Sequence, residues 1–579
     1  MPLQTGYMKK VSLLVFGFLM NIAVFAQGTY VPLGGDTYDY TDRLDIKYGR
    51  ILPMLHTGTK PYIRGEVARM AEAIHFSNLK QNKVNEFQIQ YLMDDSPEWL
   101  DSVVSKSKRP FLKKLYREPA SFAHVVSKKK GLFDLRFNPV IDVHIGGESG
   151  GGGRFIFYRT FGLEFRGNIK KVLSFYVNAV GGAERAPTYA AEKAFNDPHA
   201  YVSGEAYYKG YGSSLFKFKD GANWFDARGY VNINILDYLN ITFGRDKHFW
   251  GNGQRSLFLS DNSAPYLFLK YKLTFWRIEY ISMITQLTNP NPTSGGSVDG
   301  TYVQKYGAFH HLNIKITHWL DFGLFEGVMS RRSGNNLDPS YLNPIIFYRA
   351  VEHSLGSPDN EFIGIDFKAN TANHLSIYGQ LLLDEFNVKH LLKGDGWRAN
   401  KYGIQLGLKY IDIAPNLDGQ FEFNMVRPFT YTHDSELSYT HYNQGLAHPL
   451  GANFYEVIAQ LHYQPKPKWA LNLKLIIAKV GDDTTLVVNG QPTGISNYGG
   501  DILRADAATK EFGNKIGQGA GGTISYINFR VSYQAWHNIY VDLETFYRNK
   551  NSVRKEFIES TFYFGVGVRM NFAKRKYEF

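Results

Sequence analysis

Phe562-Tyr563-Phe564-Gly565-Val566-Gly567-Val568-Arg569-Met570-Asn571-Phe572 changes character at every step. Phe562, Phe564, Val566, Val568, Met570 and Phe572 are apolar, and Tyr563, Gly565, Gly567, Arg569 and Asn571 stand between them. A period of two is the period of a β-strand, whose successive side chains point to opposite faces. One face suits lipid and the other a wet lumen. A soluble β-sandwich alternates as well, with its apolar face turned to a core. Length separates the two: stripes of about 9 to 11 residues cross a bilayer when tilted. Lipid tolerates only a closed sheet, because an open edge leaves backbone groups unpaired.

The pattern recurs upstream. Tyr402, Ile404, Leu406, Leu408 and Tyr410 alternate with Gly403, Gln405, Gly407 and Lys409, so the stripe begins and ends in Tyr as an aromatic girdle requires. Ala227, Val231, Ile233 and Ile235 oppose Arg228, Tyr230, Asn232 and Asn234; Phe421, Phe423 and Met425 oppose Gln420, Glu422 and Asn424. Such segments start near residues 133, 154, 170, 225, 238, 263, 274, 305, 319, 360, 374, 401, 417, 453, 468, 523, 537 and 557. They predict an all-β transmembrane barrel of about 18 antiparallel strands over residues 133–579, an even number as the class requires. Short connections (166–170, 236–238, 317–320, 371–374, 465–468, 535–538) alternate with long ones (181–224, 245–262, 285–304, 330–359, 428–452, 480–522). Short turns face the periplasm and long loops the outside, and an even count puts both termini in the periplasm.

The N-terminal part reads differently. Lys9 and Lys10 precede an apolar run from Val11 that ends Val24-Phe25-Ala26, the pattern of a cleaved signal peptide over residues 1–26. Residues 27–132 form a small, partly helical periplasmic cap. Val67, Met70, Ala71 and Ile74 share one helical face within 63–79, and helices are expected to open at Pro97 (97–106) and Pro110 (110–116). The 39 Tyr, 42 Phe and 56 Gly suit pleated strands and turns rather than a long helical protein. There is no Cys, so an exported chain of this length is held by a hydrogen-bonded sheet and carries no lipoprotein anchor. The net charge of +12 is scattered apart from a cluster between Lys106 and Lys130, which favours anionic glycans or lipid headgroups over nucleic acid.

No catalytic set emerges, and the expectation is a protein that is not an enzyme, without cofactor or metal. Gly147-Glu148-Ser149-Gly150-Gly151 fits G-x-S-x-G but sits in a hairpin without the helix a nucleophile elbow needs. Gly517 to Gly522 fits G-x-G-x-x-G without a following helix. His310 and His311 are adjacent on a strand, so they face opposite sides and cannot share a metal. The loops carry more. Lys247, His248, Trp250, Arg255 and Asn262 lie in one stretch; Asn343 and Tyr348 lie in a second; His441, Tyr442, Asn443 and His448 lie in a third. Aromatics, cations and amides together suit sugars, since rings stack on pyranose faces and polar groups bond hydroxyls and uronates. The same residues would serve a structural role if the loops fold inward as a plug.

Gly244-Arg245-Asp246-Lys247, Trp250-Gly251-Asn252-Gly253 and Ser256-Leu257-Phe258-Leu259-Ser260-Asp261-Asn262 resemble the signature of the Wzi family of capsule assembly proteins. Tyr341-Leu342-Asn343-Pro344, Leu355-Gly356-Ser357-Pro358-Asp359-Asn360 and His441-Tyr442-Asn443-Gln444 through Asn453 resemble its Bacteroidetes branch, which includes the gliding motility protein RemB. The resemblance covers the chain from Val31 to its end. It implies an outer-membrane barrel of about 18 strands with a helical periplasmic part, and a lectin-like role in holding surface polysaccharide. The expected partners are outer-membrane lipid, surface polysaccharide and other envelope proteins. A role in motility or adhesion and a porin-like channel are the alternatives.

Overall fold

A computed structural model describes residues 28–579, apart from 51–54, 78, 101–120, 128–131, 151–152, 171, 196–215, 219–220, 236–237, 291–301, 332–338, 345–347, 349–358, 434–436, 489–490, 505–509 and 555–558. The expected signal peptide and the helix expected at 110–116 lie outside the described residues.

The barrel has 18 long strands, and each starts within a few residues of its expected place. They are β1 (Phe133–Ser149), β2 (Arg154–Ile169), β3 (Leu173–Arg185), β4 (Gly221–Ile235), β5 (Leu239–Asp246) and β6 (Tyr266–Phe275). Then come β7 (Ile278–Asn289), β8 (Val303–Lys315), β9 (Leu320–Ser330), β10 (Asn360–Ala372), β11 (Leu375–Leu383) and β12 (Tyr402–Ala414). The last are β13 (Leu417–Val426), β14 (Phe454–Lys466), β15 (Trp469–Asp482), β16 (Ala520–Trp536), β17 (Ile539–Ser552) and β18 (Glu559–Met570). Each pairs antiparallel with the one before it, and β18 closes on β1 in a register running from Phe562↔Ser149 to Met570↔Ile141. Closure removes the free edges that lipid cannot satisfy.

The faces follow the alternation. Phe562, Phe564, Val566 and Val568 are exposed on the outside, while Tyr563 and Arg569 are buried inside. The outer stripe stops at Val568: Met570 packs with Ile539, and Phe572 turns inward beside Val140 and Trp224. Trp276, Trp319, Trp469 and Trp536, with Tyr238, Tyr410 and Tyr463, are exposed at the short-turn end and form the girdle there.

The interior is packed with the protein's own chain. Helices α1 (Asp36–Tyr48), α2 (Arg64–Phe76) and α3 (Lys83–Asp95) share a small core that includes Leu44, Val67, Met70, Ile74 and Leu92. Asn82 caps α3 by accepting from Val84 N and Asn85 N. Where a helix is expected over 97–106, Pro97–Trp99 forms a single 3-10 turn, and residues 101–106 lie outside the described set. The helices fill the short-turn end of the barrel. Arg43 pairs with Asp412 and Asp418, Lys368 with Asp45, Lys409 with Asp42, and Arg136 and Arg166 with Glu98. The segments before α1 and before α2 go deeper: Tyr30 N donates to the Tyr230 hydroxyl, and Thr59 and Lys60 pair as a short strand with Trp250 and Phe249.

The C-terminal segment corrects one expectation. It does not leave at the short-turn end but turns back up the lumen. Lys574 pairs with Asp36, Arg575 with Asp142 and Glu184, and Glu578 with Lys474 and Arg255. Phe579 is buried.

Candidate functional site

The connection between β5 and β6, which carries five of the expected sugar-binding residues, folds into the barrel. Its run Leu257-Phe258-Leu259 is fully buried, and Phe258 stacks on Phe325 with ring centres 4.4 Å apart. Trp250 is 1% exposed, between Phe309, Phe325 and His311. Its carbonyl accepts from Gln380 Nε2 at 3.0 Å, and Leu257 N donates to Gln380 Oε1 at 2.8 Å. The backbone N–H groups of Gln254 and Arg255 donate to the two oxygens of Glu422. Trp250 therefore cannot stack on a sugar at the surface.

Arg255 is the hub of a buried ionic cluster. It pairs with Glu456 at 3.0 Å and Glu578 at 2.6 Å and lies over the Phe579 ring. Burial would lower its pKa, but the two carboxylates outweigh burial and raise it. Burial would likewise push the Glu578 carboxyl up, but Arg255 and Lys474 hold it well below the usual range. His448 Nε2–H donates to Glu456 Oε2 at 2.8 Å, and Leu450 N–H donates to His448 Nδ1 at 3.1 Å. That pattern satisfies a neutral ring, and burial lowers the His448 pKa despite Glu456. The expectation that Arg255 and His448 meet ligand from exposed loops is thus corrected: both are occupied inside the plug. His248 is buried beside Lys270, and Lys247 donates to the Asp261 carbonyl at 3.2 Å. Burial and then Arg228 push the Lys247 ammonium down to about 7. Lys247 and Asp261 help line a cavity of about 260 Å³ between Tyr30–Gly34 and the C-terminal segment.

The second expected stretch lies elsewhere. His311 faces the lumen, where it meets Asp366 at 2.7 Å, so His310 faces outward as the alternation requires. The register puts Ser282, His310 and Glu326 in one row on the outer wall, and all three are buried. What covers them is the segment that holds Tyr341 and Tyr348. Tyr348 stacks on His310 with its hydroxyl 2.7 Å from Nε2, Tyr341 donates to Asp359, and Tyr280 donates to the Pro344 carbonyl. Tyr348 therefore seals a polar row on the lipid-facing side, and Asn343 is exposed.

The third stretch splits. His441 is buried: Thr288 N–H donates to Nδ1 at 2.9 Å, and Nε2–H donates to the Pro265 carbonyl at 3.2 Å. Burial holds it down to about 3. Tyr442 and Asn443 are the corners of a two-residue hairpin, both at positive φ (49° and 56°), between the paired Thr440-His441 and Gln444-Gly445. The turn puts their side chains, half-buried, at the long-loop end, where the Tyr302 ring meets Tyr442 edge-on at 6.5 Å. Asn262 joins from below, its Nδ2 donating to the Gly445 carbonyl at 3.1 Å. Tyr302, Glu456 and Glu578 were absent from the sequence reading. Glu456 sits at an inward position of an alternating strand, which is the signal that could have found it.

The family model for the capsule assembly protein Wzi matches residues 159–551. The chain belongs to the Wzi family. A search of curated sequences returns no match. Among solved structures, this Wzi-family chain is similar to Wzi of Escherichia coli, described as an outer membrane protein involved in group 1 capsule assembly and a carbohydrate binding β-barrel. The likeness has a TM-score of 0.54 at 12% identity and covers 94% of this chain and 100% of that one. OprD of Pseudomonas aeruginosa gives 0.40 at 12% identity over 75% and 94%, and a BenF-like porin of Pseudomonas fluorescens Pf-5 gives 0.41 at 8% over 76% and 99%. The Wzi membership agrees with the outer lipid-facing belt and makes this an outer-membrane barrel.

Proposed function

We propose that the protein is exported after cleavage at Ala26, lies in the outer membrane with its long loops outside, and binds surface polysaccharide there without catalysing a reaction. The observation that carries this is the filled lumen. Helices α1–α3, the β5–β6 connection and the C-terminal segment occupy the interior of the barrel, so the geometry suits holding a ligand at the mouth and not passing one through. Membership in the Wzi family supports polysaccharide as the ligand. The binding surface is the hairpin tip of Tyr442 and Asn443 with Tyr302 and Asn262. Tyrosine rings offer apolar faces for pyranose stacking, and the amides reach hydroxyls. Lys247, Trp250, Arg255 and His448 are buried in the plug beneath the mouth. A glycan array probed with the folded, detergent-solubilised full chain tests the reading. Binding to extended acidic or mixed polysaccharides is expected, and a blank array with a folded barrel would overturn it.

A further inference from the structure

The β11–β12 connection carries a short helix, α4 (Val388–Lys393), none of whose residues is buried. Its ends are well specified. The Asn387 side chain accepts from Lys389 N at 3.0 Å, and Gly394 stops it in the left-handed region at φ 63°. One side is fastened to the protein. His390 Nδ1 lies 2.7 Å from Asp395 Oδ2, and its ring stacks on Trp397 at 4.5 Å. Arg398 N donates to the Glu511 carbonyl and Gly513 N to the Asp395 carbonyl, which ties the helix to the neighbouring loop.

The other side is apolar and open. Val388, Leu391 and Leu392 occupy positions i, i+3 and i+4, one face of a helix, and are 56%, 40% and 82% exposed. Phe386, just before the helix, is exposed as well, while Phe512 packs against His390 on the fastened side. Single exposed apolar residues are ordinary, but a contiguous patch on a rigid element marks an interaction surface. Its position says what it meets. Phe386 touches Tyr402 edge-on at 6.2 Å, and Tyr402 opens β12, whose outward residues Leu406 and Leu408 belong to the lipid-facing belt. The patch therefore continues that belt at the level of the headgroups on the long-loop side. Lys389 and Lys393, four residues apart, lie together on one side of the helix, next to the Leu392 edge of the apolar face. Among the described residues neither ammonium makes a hydrogen bond or ion pair; Lys393 only feels the charge of Asp395.

We propose that Phe386–Lys393 is an interfacial anchor in the outer leaflet. Val388, Leu391 and Leu392 enter the acyl boundary, and Lys389 and Lys393 clamp the phosphates of a phosphorylated glycolipid headgroup. An apolar helix face with flanking cations is the form that lies in an anionic interface, and Lys serves phosphate as a point charge. The inference rests on the barrel's place in a bilayer and is independent of the polysaccharide reading.

The chain has no cysteine, so Leu392→Cys carries a single polarity-sensitive dye at a site whose exposure leaves the fold untouched. The labelled full chain is compared in detergent, in phosphatidylcholine bilayers and in phosphatidylcholine bilayers containing lipid A. In both bilayers the dye should be several-fold less accessible to aqueous iodide than in detergent. Lipid A should deepen the protection, and K389E with K393E should abolish that increment. Iodide access in bilayers equal to that in detergent would overturn the anchor. Protection that rises with protein concentration would assign the face to a second copy instead. A charge-reversed variant that keeps the full lipid A increment would overturn the headgroup clamp.

Discussion

At the residue scale the molecule is governed by buried charge. A buried ion pair adds little net stability, because desolvation offsets attraction, yet removing one partner leaves the other stranded. Arg255→Ala should therefore destabilise the barrel by about 3–5 kcal/mol in urea unfolding. Adding Glu578→Gln to it should recover part of that loss; a double variant worse than the single one would contradict the cluster. His441 makes a second test. Its neutral ring has both nitrogens bonded, and protonation would break the bond from Thr288 N. Burial holds its pKa down to about 3, below the free value of about 6.5. A group depressed in the fold contributes its stability in full above the free pKa and loses it as the pH falls toward the folded one. Stability should thus fall below pH 6.5 on the order of 1 kcal/mol per unit from this site. The His441→Gln variant should show a shallower acid slope in urea midpoints, and equal slopes would count against it. At this scale the sequence was only partly legible. Arg255 and Glu456 are 201 positions apart, and no local pattern announces such a pair. The inward fold of 247–262 did leave a mark: Leu257-Phe258-Leu259 is an apolar run that an exposed loop has no use for.

At the element scale, period two and turn length carried the reading, because each strand obeys a local rule that lipid enforces on every one of them. The 18 strands and the outward stripes were legible for that reason. Val566→Arg or Leu406→Arg should cost about 2–4 kcal/mol in a refolding assay, as lipid-facing charge does near the midplane. The inward neighbour is a different case. A lumen-facing Gly567→Arg would be mild in a roomy barrel, but a Cβ there would stand 2.2 Å from the His144 ring. That substitution should be at least as harmful as Val566→Arg, through a clash and not through lipid. A well-folded Gly567→Arg would mean that the interior is looser than described. The helices were harder to read. The α2 face of Val67, Met70, Ala71 and Ile74 stood out, whereas α1 holds Asp42, Asp45 and Arg43 where a pattern search expects core, because those residues dock onto charged groups at the short-turn end. The Tyr341–Tyr348 flap was illegible for a related reason. A loop that covers the outer wall looks, in sequence, like any long loop.

At the scale of the whole molecule, the protein is a membrane barrel whose lumen is given over to support and whose mouth is the proposed working surface. The full chain should show no steady conductance in planar bilayers. Deleting residues 571–579 removes Lys574, Arg575 and Glu578 from their partners on α1, the wall and the β5–β6 connection, and it should produce a leak. An open channel from the full chain would place the protein with conducting barrels instead. In the proposed function, polysaccharide is held by the hairpin tip and not by the buried residues beneath it. The most direct measurement is a binding titration of polysaccharide extracted from the producing cells against the folded full chain and its Tyr442→Gly, Asn443→Gly double variant, since Gly keeps the positive φ of both corners. Stacking and amide contacts of this kind are worth on the order of 1–3 kcal/mol, so the double variant should bind at least several-fold more weakly while keeping the same urea midpoint. Unchanged affinity in a folded double variant would contradict the claim.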